Sequence, residues 1–225
     1  MQTVTTIGLD IAKLVFQVHG VDAAGQVVVR RRLKRRYVLP FFQKLPSCLV
    51  GIEACASSHY WSRELQALGH TVRLMPPAYV KPYIKRQKND AADAEAICEA
   101  VTRPSMRFVE TKTPEQQSCL MLHRTRHLFI RQQTAVINAI RAHLAEFGIV
   151  APVGRNGVEE LLGVVADPSD QRVPEIARMC LAALGAQLRM LKAQILEFDR
   201  MINAWHRSNE TPLACRRGGA STHRK

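Results

Sequence analysis

Long apolar runs, paired cysteines and acidic residues are what this sequence is short of, and each shortage excludes something. No uncharged stretch approaches the roughly 18–20 apolar residues that span a bilayer, which argues against a transmembrane protein. Residues 1–13 lack a charged segment followed by an apolar one and a small-residue cleavage site, so no secretory signal is visible. The six cysteines, Cys48, Cys55, Cys98, Cys119, Cys180 and Cys215, form no C-x-x-C pair and have mostly apolar neighbours. They read as buried, reduced thiols in a cytoplasmic protein. Acids number 19 against 32 Lys and Arg in 225 residues, a formal net charge of +13. The excess is spread along the chain, and such a field favours a polyanion partner, nucleic acid or an anionic membrane surface. At 47% hydrophobic residues the chain has ample material for a core, which excludes a wholly disordered basic protein.

Patterning divides the chain in two. Residues 3–10, 14–20 and 26–33 read as strands, with Val21-Asp22-Ala23-Ala24-Gly25 as the turn between the second and third. Residues 37–45 read as a short helix containing Pro40, residues 48–53 as a buried parallel strand ending in an acid, and residues 58–68 as a helix ended by Gly69. A strand over 71–75 and an Ala-rich helix over 90–101 follow. The order β-β-β-α-β-α-β-α is an α/β pattern that joins a hairpin edge to crossover units. After a connector at 103–114, a helix is expected over 115–147, a short one over 158–166, and a long one from Pro174 to about His206. In the last of these, Leu181, Leu184, Leu188, Leu191, Ile195, Phe198, Ile202 and Trp205 alternate three and four apart. That spacing is the a/d seam of a coiled coil, closing on the 115–147 helix or on a second copy. The expected domains are thus 1–110 (α/β), 111–210 (helical coiled coil) and 211–225 (a basic, disordered tail).

In so basic a chain the positions of the acids are informative. Asp10 ends the first strand in Ile7-Gly8-Leu9-Asp10, and Glu53 ends the fourth in Val50-Gly51-Ile52-Glu53. Asp90 and Asp93, three apart on a helix, share a face. Four converging carboxylates repel one another unless cations sit among them, and hard oxygen ligands suit Mg²⁺ or Mn²⁺. Two such ions about 3.5–4 Å apart stabilise the attacking and leaving oxygens of a phosphodiester displacement. The bland reading of each acid alone is a turn residue or a helix cap. Their order on this frame is the layout of ribonuclease H-like nucleases.

The segments Ile7–Lys13, Gly51-Ile52-Glu53-Ala54-Cys55, His59-Tyr60-Trp61, Met75–Tyr83 and Lys88-Asn89-Asp90-Ala91-Ala92-Asp93-Ala94-Glu95-Ala96-Ile97 closely resemble the DEDD-type insertion-sequence transposases, whose N-terminal domain is similar to the Holliday-junction resolvase RuvC. The resemblance covers roughly residues 3–210. It implies a ribonuclease H-like (RuvC-like) catalytic domain with a metal-binding tetrad at Asp10, Glu53, Asp90 and Asp93, followed by a coiled-coil segment. It also implies DNA recombination, at element ends and target, directed by a structured guide RNA. The family's C-terminal domain, which carries a nucleophilic serine, has no counterpart in residues 211–225. Ser208 and Ser221 sit in no matching motif, and the resemblance therefore implies a truncated copy.

Basic residues are expected to hold the nucleic acid. Arg30, Arg31, Arg32, Lys34, Arg35 and Arg36 are six charges in seven positions beside a strand, where phosphate contact competes with mere protection of a sheet edge. Lys81, Lys85, Arg86 and Lys88 form a second stretch, with Tyr79 and Tyr83 either stacking on bases or packing the helix. Lys13 follows Asp10 closely enough to hold a phosphate. His123 and His127 lack an acid between them and read as a solvated surface. Two other functions compete with a metal-dependent transposase that assembles as a homo-oligomer through its coiled coil. One is a non-catalytic nucleic-acid-binding and dimerisation fragment. The other, an actin-like sugar kinase suggested by Gly8-Leu9-Asp10-Ile11, lacks the further glycine-rich phosphate loops that class needs.

Overall fold

The computed structural model describes residues 3–83 and 90–208, and for Asp90, Ala91 and Arg155 the backbone alone. These residues fall into two compact units divided after Pro114. In the first, β1 (Thr6–Ile11), β2 (Val15–Val21) and β3 (Val27–Lys34) form an antiparallel meander. A 3-10 turn at Arg35–Tyr37 leads into α1 (Val38–Phe42), then β4 (Leu49–Glu53), α2 (Ser58–Ala67) and β5 (Thr71–Met75). The sheet order is β3-β2-β1-β4-β5, with β4 parallel to both β1 and β5. The β2–β3 turn forms where expected. Asp22 Oδ1 accepts from the N–H groups of Ala24 and Gln26, each at 2.9 Å, and Gly25 takes φ 78°, open to glycine without strain.

Alternation along the strands builds two apolar layers. Ile7, Leu9, Val50, Ile52 and Leu74 are fully buried on one face, packed with Phe16, Phe42, Trp61 and Leu65. The opposite face is covered by α4 (Asp90–Ala100), whose Ala96, Ile97 and Ala100 cluster with Met75 and Val80. Between β5 and α4 lie α3 (Pro77–Val80) and a 3-10 turn at Lys81–Tyr83. Neither is expected from periodicity, because four residues are too few to show one. Proline sits at the first position of α3, where its missing N–H costs no hydrogen bond. The remaining element boundaries agree with the sequence reading to within about three residues.

The cysteines divide. Cys48, Cys98 and Cys119 are buried, whereas Cys55 and Cys180 are exposed, against expectation. Cys55 follows the end of β4, beyond the sheet, and Cys180 precedes the buried Leu181 on α7, so helical rotation turns it outward. Cys215 lies outside the described residues. Burial pushes the Cys48 and Cys98 thiols up to about 11, which makes both poor nucleophiles.

The second unit holds α5 (Pro114–Ala145), α6 (Arg155–Ala166) and α7 (Glu175–Ser208). Gly148, at φ 72°, ends the α5 segment, with the Ile149 N–H donating back to the Leu144 carbonyl at 3.0 Å. The helices α5 and α7 run antiparallel. The Phe129 and Phe198 rings meet edge to face at 5.4 Å, Arg126 pairs with Asp199 at 2.5 Å, and the His123 ring lies 6.0 Å from His206. Leu181, Leu188 and Leu191 of the predicted seam are buried among Val136, Ile140 and Leu144 of α5 and Val158, Leu161 and Val165 of α6. That part of the apolar stripe is filled within the chain.

Arg178 joins α6 to α7. Its Nη1 donates to the carbonyls of Val164, Val165 and Asp167 at 3.1, 2.8 and 2.6 Å, closing the C-terminus of α6, where carbonyls have no partner within the helix. Arg178→Ala is expected to destabilise this unit by about 2–3 kcal/mol, as buried carbonyls lose a charged donor. Arg178→Lys should recover only part of that, because an ammonium lacks the planar fork. A urea unfolding series checks both.

Candidate active site

The carboxyl ends of the parallel strands β1 and β4 carry Asp10 and Glu53. Leu9 and Ile52 are partners across the two strands, so the next residues occupy equivalent positions on the opposite face. That face belongs to α4, and two glycines let the helix settle onto it. A Cβ built on Gly8 would lie 2.0 Å from the Ala94 carbonyl oxygen and 2.4 Å from the Cys98 nitrogen. One on Gly51 would lie 2.7 Å from the Val101 Cβ. The Cys98 thiol donates to the Thr6 carbonyl at 3.8 Å, so α4 runs against β1 and its first turn comes to the Asp10 end. Repeated small residues in the strands thus place a helix bearing acids over the strand ends bearing acids.

Asp10, Glu53 and Asp93 are all half-buried. Burial raises the Glu53 carboxyl above the usual carboxylate range, and the negative charge of Asp93 raises it further. Two of the four expected acids are therefore electrostatically coupled, and Asp10 sits in the neighbouring strand position. Asp90 is the first residue of α4, one turn before Asp93; its side chain lies outside the described residues. Among the described residues no group of three or more His, Cys, Asp or Glu side chains is gathered closely enough to hold a metal ion.

The expected cationic residues separate by strand alternation. Asp10 pairs with Gln17, and Gln17 with Arg32, so one cross-strand row carries Asp10, Gln17 and Arg32 on the α4 face. Two strand spacings put Arg32 about 10 Å from Asp10. Only the hairpin register makes this relation visible, and it singles out one arginine from the run. Arg30, on the same face, is 3.8 Å from Glu95 of α4. Arg31 points to the other face, over Phe41 at 6.0 Å, while Arg35 stacks on Trp61 at 5.0 Å and Arg36 on Tyr37 at 4.7 Å. These four therefore have partners within the fold, and the run is not a uniform row of free charges. Lys34 is exposed at the end of β3, and Lys13 is exposed in the β1–β2 turn.

Lys81 is exposed. Tyr83 packs with the α4 cluster under Arg103, whose guanidinium is 5.8 Å from the ring, whereas Tyr79 is exposed. Of the two readings of these tyrosines, packing fits Tyr83. Lys85, Arg86 and Lys88 lie outside the described residues. His127 is exposed and His123 faces His206. No helix among the described residues is long and apolar enough to cross a membrane.

A sequence reading also overlooks the connector after α4. Val109 bridges to Leu74, the hydroxyls of Ser62 and Thr111 meet at 2.6 Å, and Arg63 donates to the Lys112 carbonyl at 2.6 Å. This segment is fastened to β5 and α2. Nothing in its polar sequence signals that, because its partners are distant in the chain.

A five-stranded mixed sheet with acids at two adjacent parallel strand ends, under a helix carrying a D-x-x-D pair, defines an α/β protein of phosphoryl-transfer type. The transposase family of the DEDD, IS110 type matches residues 7–149, and the chain belongs to that family. It is 51% identical over 199 residues to a family 20 transposase of Pseudomonas aeruginosa, covering 88% of this chain and 59% of that protein. It is 37% identical over 211 residues to the transposase for insertion sequence element IS1328 of Yersinia enterocolitica, covering 94% of this chain and 62% of the relative. The transposase for IS1111A of Coxiella burnetii is 36% identical over 211 residues, covering 93% of this chain and 58% of the relative. The chain thus spans about six-tenths of the length of these relatives.

Proposed function

We propose that this chain carries the metal-dependent phosphodiester-cleaving unit of an insertion-sequence transposase, on a ribonuclease H-like frame that acts on DNA under the direction of a structured RNA. The observation that carries this reading is the electrostatic coupling of Glu53 and Asp93 beside the strand end that bears Asp10. The donor set fits a hard divalent cation. It consists of carboxylate oxygens alone, and the crowding that raises the Glu53 carboxyl is what a cation relieves. Asp10, Glu53 and Asp93, with Asp90, would hold Mg²⁺ or Mn²⁺. When bound, such an ion polarises a phosphoryl oxygen and acidifies an attacking water or hydroxyl.

The chain's own residues supply the rest. Arg32, in the Asp10 row, and Lys13, just past the β1 end, are placed to hold backbone phosphates on either side of the carboxylates. The excess of +13 draws the polyanion to the surface, and the acids confine the reaction to one place on it. The helical unit offers α5 and α7 as a surface for RNA or for a second copy of the chain.

The test is nicking of supercoiled and element-end DNA in Mg²⁺, with and without RNA transcribed from the element's flank. Wild type should nick, while Asp10→Ala and Glu53→Ala should lose nicking and keep DNA binding at low salt. Binding without nicking by wild type would favour the non-catalytic fragment. Equal nicking by wild type and both variants would refute the carboxylate site.

A further inference from the structure

The open edge of β3 and the first helix form a groove that the cleavage chemistry leaves unused. It is about 440 Å³ and is lined by Arg31, Arg32, Tyr37, Phe41 and Lys44, with Lys34 at its end. Tyr37 is 48% exposed, an unusual position for a large ring among so many cations. Edge protection accounts for charges on β3 but not for the ring beside them. Arg36 covers one side of the Tyr37 ring at 4.7 Å, and Arg31 approaches Phe41 at 6.0 Å. An aromatic ring backed by a cation presents its other side to a third planar group.

The place of the groove is as informative as its lining. β3 runs parallel to β1, and Leu33 pairs with Phe16, which pairs with Ile11, the residue after Asp10. The groove therefore lies at the same end of the sheet as Asp10 and Glu53, two strand spacings or about 10 Å outward. A paired duplex offers only phosphates to such a surface, because its base faces are already stacked. Alternating cations and exposed rings fit a strand whose phosphates and open bases are presented together.

We propose that the β3–α1 groove binds an unpaired DNA strand next to the cleavage site, with one base stacked on Tyr37 and phosphates held by Arg32 and Lys44. The proposal rests on the cleavage reading for its choice of DNA, but its test does not need cleavage. It uses the full chain, without divalent ions, at about 50 mM salt, where phosphate contacts are strong. The probe is a short oligothymidine containing one 2-aminopurine, whose fluorescence falls on stacking. Tyr37→Ala should weaken binding about 5- to 150-fold and remove the quenching, with the salt dependence unchanged. Tyr37→Phe should restore both. Lys44→Ala should lower the slope of log affinity against log salt by about 0.7 and keep the quenching.

Duplex DNA of the same length should bind Tyr37→Ala and wild type alike. Asp10→Asn should bind the single strand as wild type does, which separates a failure of this proposal from a failure of the catalytic one. Unchanged affinity and quenching in Tyr37→Ala would overturn the proposal. So would an effect of that variant confined to duplex DNA, or to oligouridine of the same length.

Discussion

Replacing Gly8 by alanine should cost the first unit about 3 kcal/mol and lower any metal-dependent cleavage about a hundredfold. The added Cβ would meet the Ala94 carbonyl oxygen at 2.0 Å and the Cys98 nitrogen at 2.4 Å, where ordinary contact begins at 3.4 Å. Both are backbone atoms, so no side chain can swing aside and α4 itself must lift by more than 1 Å. Overpacking of this kind typically costs 1–3 kcal/mol, and rigid backbone on both sides places Gly8 at the upper end. Asp93 is the neighbour of Ala94 and moves with it, away from Glu53. A displacement of about 1 Å can cost two orders of magnitude in rate. Gly51→Ala meets a side chain, Val101, at 2.7 Å and should cost less. Chemical unfolding of both variants, and nicking rates measured under conditions where each remains folded, check the order.

The second large effect concerns Glu53. Its carboxyl keeps its proton to a higher pH in the folded chain than in the unfolded one, because of burial first and Asp93 second. Between the ordinary glutamate value of about 4.3 and the raised one, the folded state binds more protons, so stability falls as pH rises. Above that window the cost of the ionised group is fully present. Glu53→Gln removes it. In metal-free buffer at pH 7 the variant should therefore melt a few degrees above wild type, and the two should converge below about pH 4. Divalent ions should reverse the order. At ten times its dissociation constant, Mg²⁺ stabilises a protein that binds it by about 1.4 kcal/mol, or about 3–6 °C for a chain of this size. Wild type should gain that and Glu53→Gln almost none. A substitution that stabilises the apo protein while removing the response to metal would mark Glu53 as a ligand rather than a structural acid.

Much of this arrangement can be read from residue order, and the remainder depends on contacts distant in sequence. The alternation in Ile7-Gly8-Leu9-Asp10 and Val50-Gly51-Ile52-Glu53 already puts the two acids on one face, because period two leaves no other choice. The Asp22–Gly25 turn fixes the hairpin, and through it the register that sets Arg32 beside Asp10. Less visible is the reason for Gly8 and Gly51, since a strand glycine equally marks a bulge or a bend until the helix above it is seen. The basic run misleads in the same way. Arg30, Arg31, Arg35 and Arg36 look alike in sequence, yet each meets a different partner, Glu95, Phe41, Trp61 or Tyr37, brought in by folding. The heptad stripe of α7 is plain, whereas its filling by α5 and α6 together depends on the turn that Arg178 closes.

Direct titration with Mn²⁺, followed by the loss of the free-ion electron paramagnetic resonance signal, tests the central claim most closely. A site formed by Asp10, Glu53 and the acids of α4 predicts saturable binding by the wild-type chain, weakened at least tenfold in Asp10→Asn and in Glu53→Gln. Superimposable titrations for all three proteins would contradict it.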